Sequence, residues 1–183
     1  MARRVNKRFL IVFGSVLIVG LAGAFVLAMQ IRGSQRKEQA KKQEEQADRL
    51  VAEADKDESS VSRREKLTQA AINLELATAT DGRNAGLNIK LGDVYSKMTA
   101  FEPGLVQKSR QRWAAALEVD PAHATALRRL MESFYQEVQL RPLAAAFGQV
   151  EERASAIHKI DPKDKRAHAL MFIAPIHQWL ANI

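Results

Sequence analysis

The sequence predicts an all-α protein: one N-terminal transmembrane helix followed by an array of α-hairpin repeats. Three observations carry that prediction. Residues 9–31 form an apolar run of 23 residues without a formal charge. Residues 65–183 show helical apolar periodicity throughout and no strand alternation. Within that stretch one helix-turn-helix phrase recurs. The expected boundaries are a basic tail over 1–8, the transmembrane helix over 9–31, a charged helical connector over 32–62 and the repeat domain over 63–183.

The charge distribution supports this division. The chain has 183 residues, a net charge of +7 and no cysteine. Without cysteine there is no disulfide scaffold, thiolate zinc site, iron–sulfur cluster or thiol catalysis. A basic chain first suggests nucleic-acid binding, but the excess is local. Arg3, Arg4, Lys7, Arg8, Arg32 and Arg36 are the only charged residues in 1–36, and the other 22 bases meet all 21 acids. The excess therefore flanks the apolar run, and no nucleic-acid partner is expected.

A 23-residue helix spans roughly 34 Å, enough for a bilayer core of about 30 Å. A cleaved signal peptide is the competing reading, with Ala22-Gly23-Ala24 as its cleavage site. The apolar run continues from Phe25 to Met29, so cleavage there would leave an apolar stub; an uncleaved anchor is preferred. Counting Lys and Arg on both sides does not separate the two orientations. The dense charge of the short tail favours keeping it in the cytoplasm, with the later domain outside. The expected location is a bacterial inner membrane, in single-pass form. Gly20, Ala24 and Ala28 recur every four residues on one helix face, where small residues let two membrane helices approach. They mark a candidate homo-oligomer contact.

Gly33-Ser34 reads as a break after the membrane helix. From Gln35 to Glu58 the residues are good helix formers with a thin stripe of Ala40, Ala47, Leu50, Val51 and Ala54. Asp57 to Ser60 reads as a turn, and Ser62-x-x-Glu65 as a capping box that starts the next helix near Ser62.

The recurrence follows. Asn88-x-x-Leu91-Gly92-x-x-Tyr95 has the first-helix pattern of the tetratricopeptide repeat, with Asn88 where Trp is usual. Trp113, Ala116 and Pro121 have the spacing of the last members of its second-helix pattern. Ala70, Leu74 and Ala77 have the spacing of the first. Leu127, Leu130 and Phe134 repeat the first-helix positions, with Met131 where a small residue is expected, and Ile157 and Pro162 repeat Ala116 and Pro121. A third first helix starts near Asp164, with His168 and Met171 at packing positions. The region 65–183 therefore resembles the tetratricopeptide repeat family. It departs from the family in its missing Trp, in extra residues near Thr99–Gly104 and Leu140–Pro142, and in Pro121 and Pro162 lying 41 residues apart against a family period of about 34. Pro175 falls where Tyr is expected and should break or kink that helix.

The resemblance implies a concave groove lined by the first helices. By position these residues are Ile89, Asp93, Ser96 and Lys97, then Arg128, Glu132, Tyr135 and Gln136. Their mixed charge differs from the basic clamp used for C-terminal carboxylates and suits an extended or helical partner segment. Apolar residues continue along Phe172, Ile173, Ile176, Trp179 and Leu180, so this end is covered by another chain, belongs to a longer array or folds back on its own domain.

No phosphate loop, histidine pair at ligand spacing or nucleophile turn is present. No catalytic, cofactor or metal site is expected, and the chain does not read as an enzyme. The sequence thus predicts a membrane-anchored scaffold or adaptor that binds protein partners beside the lipid bilayer. The alternatives are a self-associating structural subunit and the N-terminal piece of a larger repeat protein.

Overall fold

A computed structural model describes residues 7–141 and 143–180, with the side chains of 7–28 outside the described set. Seven helices follow one another: α1 (Lys7–Ala54), α2 (Ser60–Thr80), α3 (Ala85–Met98), α4 (Leu105–Val119), α5 (Ala124–Leu140), α6 (Ala144–Ile160) and α7 (Lys165–Leu180). The described residues contain no strand. The chain divides into two units, Met1–Gln39 and Ala40–Ile183, and the packed helical array is the second.

Among the described residues no helix is long and apolar enough to cross a membrane. The predicted span 9–31, with Gly20, Ala24 and Ala28, lies almost wholly outside the described side chains.

Three apolar clusters run through the array and share helices. The last part of α1 contributes Ala40, Ala47 and Ala54, which meet Leu67, Ala70, Leu74 and Ala77 of α2 and Leu87, Leu91 and Tyr95 of α3. Ile89, Trp113, Ala116, Ala126 and Leu130 join α3, α4 and α5. Met131, Val138, Phe147, Val150, Ala154, Ile157, Ala167, Leu170 and Ala174 join α5, α6 and α7. Each helix thus buries one face on the next, as in a stacked repeat.

The turns repeat as well. Asp81, Asp120 and Asp161 cap the C-termini of α2, α4 and α6 through their backbone N–H groups. The Asp120 carboxylate accepts the Ala122 N–H at 3.1 Å, and the Asp161 carboxylate accepts that of Lys163 at 3.2 Å. Pro121 and Pro162 sit inside these turns, before the next helix begins. Asn84 and Asp164 then cap α3 and α7 by accepting the N–H groups of Leu87 and Ala167.

Several local expectations are corrected. Gly33-Ser34 does not break the helix: α1 runs through it. The Ser34 hydroxyl donates to the Ile31 carbonyl at 2.8 Å, so its polar group is satisfied inside the helix, and one glycine costs only about 1 kcal/mol among strong helix formers. The cap of α2 is Ser59, not Ser62. Ser62 already lies within the first turn, where its N–H donates to the Ser59 side chain and its hydroxyl donates to Asp57 at 2.6 Å. Pro175 does not break α7, which continues to Leu180. Ala167, Leu170 and Ala174 are the buried residues of α7, and Met171 packs half-buried against the same cluster as expected. His168 is exposed instead, its ring 5.2 Å from that of His158 on α6.

Candidate functional site

The first helices of successive hairpins are α3, α5 and α7. Counting from Asp81, Asp120 and Asp161 puts them in one register: Gly92, Met131 and Phe172 are equivalent, as are Asp93, Glu132 and Ile173. Between α3 and α5 lies a cleft of 280 Å³ lined by Asp93, Ser96, Lys97, Trp113, Arg129 and Glu132, among others. A more apolar cavity of 320 Å³ opens among α5, α6 and α7, lined by Tyr135, Val138, Phe147, Leu170, Ile173 and His177, among others. Tyr135 therefore belongs to a different recess from Asp93, Lys97 and Glu132. Ile89, expected to face the groove, is buried against Trp113 and Leu130.

The charged groove residues are engaged within the protein. The Asp93 carboxylate accepts the indole N–H of Trp113 at 3.1 Å and pairs with Arg129 at 2.9 Å. Lys97 donates to Asp55 at 2.6 Å. Lys90 pairs with Glu44 and Asp48, each at 2.7 Å. Glu132 pairs with Arg166 at 3.0 Å. Arg128 reaches Asp164 at 2.9 Å and Asp161 at 3.3 Å. The Ala167 N–H, and Arg128 after it, hold the Asp164 carboxyl below its ordinary value. These pairs form a ladder from the end of α1 to α7. Each exposed rung contributes about 0–1 kcal/mol, so the ladder sets alignment between hairpins more than stability.

The repeat residues sit at the helix contacts. Ala70, Leu74, Ala77, Leu91, Tyr95, Trp113, Ala116 and Leu130 are buried, and Phe134 is half-buried. A Cβ on Gly92 would lie 2.5 Å from the Trp113 indole nitrogen, so the close approach of α3 and α4 needs glycine there. The Tyr95 hydroxyl donates to Glu75; burial, then that carboxylate, pushes the phenol up to about 12.

Sequence reasoning missed Arg110, the buried clasp between α4 and α5. Its guanidinium donates to the Ser133 hydroxyl and carbonyl, each at 2.8 Å, pairs with Glu137 and lies 4.2 Å over the Phe134 ring. No spacing signal marks it, because its partners are 23 and 27 residues away. Among the described residues no group of three His, Asp or Glu side chains is placed to hold a metal.

No family profile matches the chain, and no curated protein matches it. A solved structure with this architecture is the TPR domain of Arabidopsis OM64. It matches 78% of this chain and 98% of its own length, with a TM-score of 0.56 and 13% identity. At that identity the likeness is one of fold: the described helices from the end of α1 to α7 form a tetratricopeptide-like array.

Proposed function

We propose that this chain is a scaffold that binds protein partners and is anchored to a bilayer by residues 9–31. The observation that carries the binding role is the pair of recesses along one row of hairpin helices. The ion-pair ladder occupies Asp93, Lys97, Arg128 and Glu132, which leaves exposed polar groups (Ser96, Gln136) and the apolar recess beside Tyr135 to meet a partner. A groove of this character suits a helical or extended segment better than a carboxylate. Binding, not catalysis, is the role that such a surface serves.

The anchor reading rests on the uncharged run of residues 9–31 and the bases on both sides of it. It assigns the chain to a bacterial inner membrane with the array outside the cytoplasm. Protease added to intact spheroplasts should then degrade the array, and protection of the array would reverse the orientation. For the binding role, the full chain is crosslinked in its native membrane and the adducts are identified. Partner adducts should be lost in Tyr135→Ala with the helical signal intact. A folded wild-type protein that crosslinks to nothing would contradict the scaffold role. Self-association through Gly20, Ala24 and Ala28 is the second reading, favoured by their shared face; a monomer band unchanged by Gly20→Leu would end it.

A further inference from the structure

The two clefts between first helices occupy the same place in successive steps of the array, and their linings differ in kind. Counting from Asp120 and Asp161 makes Arg129 equivalent to Leu170, Glu132 to Ile173 and Ser133 to Ala174. Counting from Asp81 and Asp120 makes Thr99 equivalent to Val138. The first member of each pair lines the α3–α5 cleft, and the second lines the cavity among α5, α6 and α7. At each of these positions a polar residue has given way to an apolar one.

The exchange also removes the bar across the cleft. Between α3 and α5 the Asp93–Arg129 ion pair spans it at 2.9 Å. Between α5 and α7 the acid is kept as Glu132, but Leu170 stands where the base would be. Glu132 turns instead to Arg166, one turn nearer the start of α7. Among the described residues no Asp, Glu, Lys or Arg lines the cavity. Its opening belongs to the step between hairpins: the α3–α5 cleft has helices of the array on both sides and is open as well.

Size and lining define what fits. Val138, Phe147, Val150, Leu170 and Ala174 are buried walls. The more exposed part of the lining carries the Tyr135 hydroxyl, the Gln139 amide and the His177 imidazole. Apolar walls with a few polar groups are the composition of a small-molecule site. The volume of 320 Å³ falls at the small end of the range of about 300–1,000 Å³ for such sites. An apolar cavity of about 150 Å³ takes one benzene ring, so this one has room for two. The His177 ring lies parallel on that of Phe147 at 5.4 Å. With Tyr135 beside them, these faces favour a flat ring over an aliphatic one of equal size. A carboxylate would lose its water here with no base to meet it.

We propose that the cavity among α5, α6 and α7 is a binding site for a small, uncharged aromatic molecule of about two rings. This goes beyond the protein-binding role. It gives the floor of the recess beside Tyr135 to a free ligand, and it holds whether or not a protein binds there.

One skeleton in three forms tests it. The full chain, labelled at its Ile, Leu and Val methyl groups, is held in lipid nanodiscs. It is titrated with 2-naphthol, with the saturated decahydro-2-naphthol and with the charged 2-naphthoate. Plotted against free ligand, 2-naphthol should shift the Val150 and Ile173 methyl signals saturably and leave Val106, in the polar cleft, in place. Both analogues should bind at least about tenfold more weakly. Ile173→Glu restores the residue of the polar cleft and should weaken 2-naphthol at least about tenfold, whereas Ile173→Val should keep its affinity. Both variants should hold the wild-type helical signal, because residue 173 is 44% exposed. No saturable shift, an equal shift of Val106, equal binding of either analogue, or an affinity indifferent to Ile173→Glu would overturn the proposal. Partner adducts lost in Tyr135→Ala by a chain that ignores 2-naphthol would keep the scaffold role and remove this site. A chain that binds 2-naphthol and yields no partner adduct would do the reverse.

Discussion

The hairpins α3–α4 and α5–α6 solve one packing problem in opposite ways. In the first, Gly92 gives up volume and Trp113 supplies it; in the second, counting from Asp120 and Asp161 makes the equivalent pair Met131 and Ala154, a large residue and a small one buried in one cluster. The indole of the first also carries a polar duty, since its N–H is satisfied by Asp93, which in turn binds Arg129 of the next hairpin. The second has no indole at that point: Glu132, the equivalent of Asp93, binds Arg166 of α7 directly, and Arg128 adds a pair to Asp164 in the α6–α7 turn. What matters for the array is the summed volume across each contact, and the identity of the large residue decides which polar rung is attached to it.

That comparison can be stressed directly. Trp113→Ala should be the most damaging change, at about 3–5 kcal/mol, because it empties a large buried volume and removes the donor to Asp93. Met131→Ala should cost less, about 2–4 kcal/mol, since a smaller and unpaired side chain is lost. Urea unfolding of the two variants orders them, and a larger loss from Met131→Ala would reverse the roles assigned to the two hairpins. Gly92→Ala comes next, at about 1–3 kcal/mol from overpacking against Trp113. The equivalent Phe172→Ala should stay within about 0.5 kcal/mol, because that side chain is more than half exposed.

The smallest effects concern the α1–α2 turn. Lys66, then the Ser62 hydroxyl and the Ser59 N–H, lower the Asp57 carboxyl to about 2 from 3.8. A group depressed in the folded state contributes stability above its unfolded value and loses it as pH falls through the folded one. Hydrogen exchange in this turn should therefore quicken as pH drops from about 4 to 2, relative to the intrinsic rate. Asp57→Asn should remove that step. A step that persists in the variant would place its origin elsewhere.

The contrast between the hairpins was partly legible in the sequence. The Gly92 position and the Asp-Pro turns stand out because turn chemistry and close approach are local signals. The third copy of that turn, Asp81-Gly82, is less visible because it lacks the proline. Met131 reads as a departure from the repeat until Ala154 is set opposite it. The candidate groove was the least legible part. Asp93, Lys97, Arg128 and Glu132 look like a mixed-charge lining, yet their partners lie 33 to 42 residues away. Sequence spacing cannot pair charges across a hairpin. The exposure of His168 was equally hidden, since apolar side chains occur on both faces of α7.

The central claim is that volume is shared across each hairpin contact. The most direct measurement transplants the α5–α6 arrangement into α3–α4. Gly92→Met is added to Trp113→Ala, and thermal unfolding of the double variant is followed by circular dichroism. Shared volume predicts that the second substitution restores at least about 1 kcal/mol of what Trp113→Ala removes. A double variant that unfolds at or below the temperature of Trp113→Ala would contradict it.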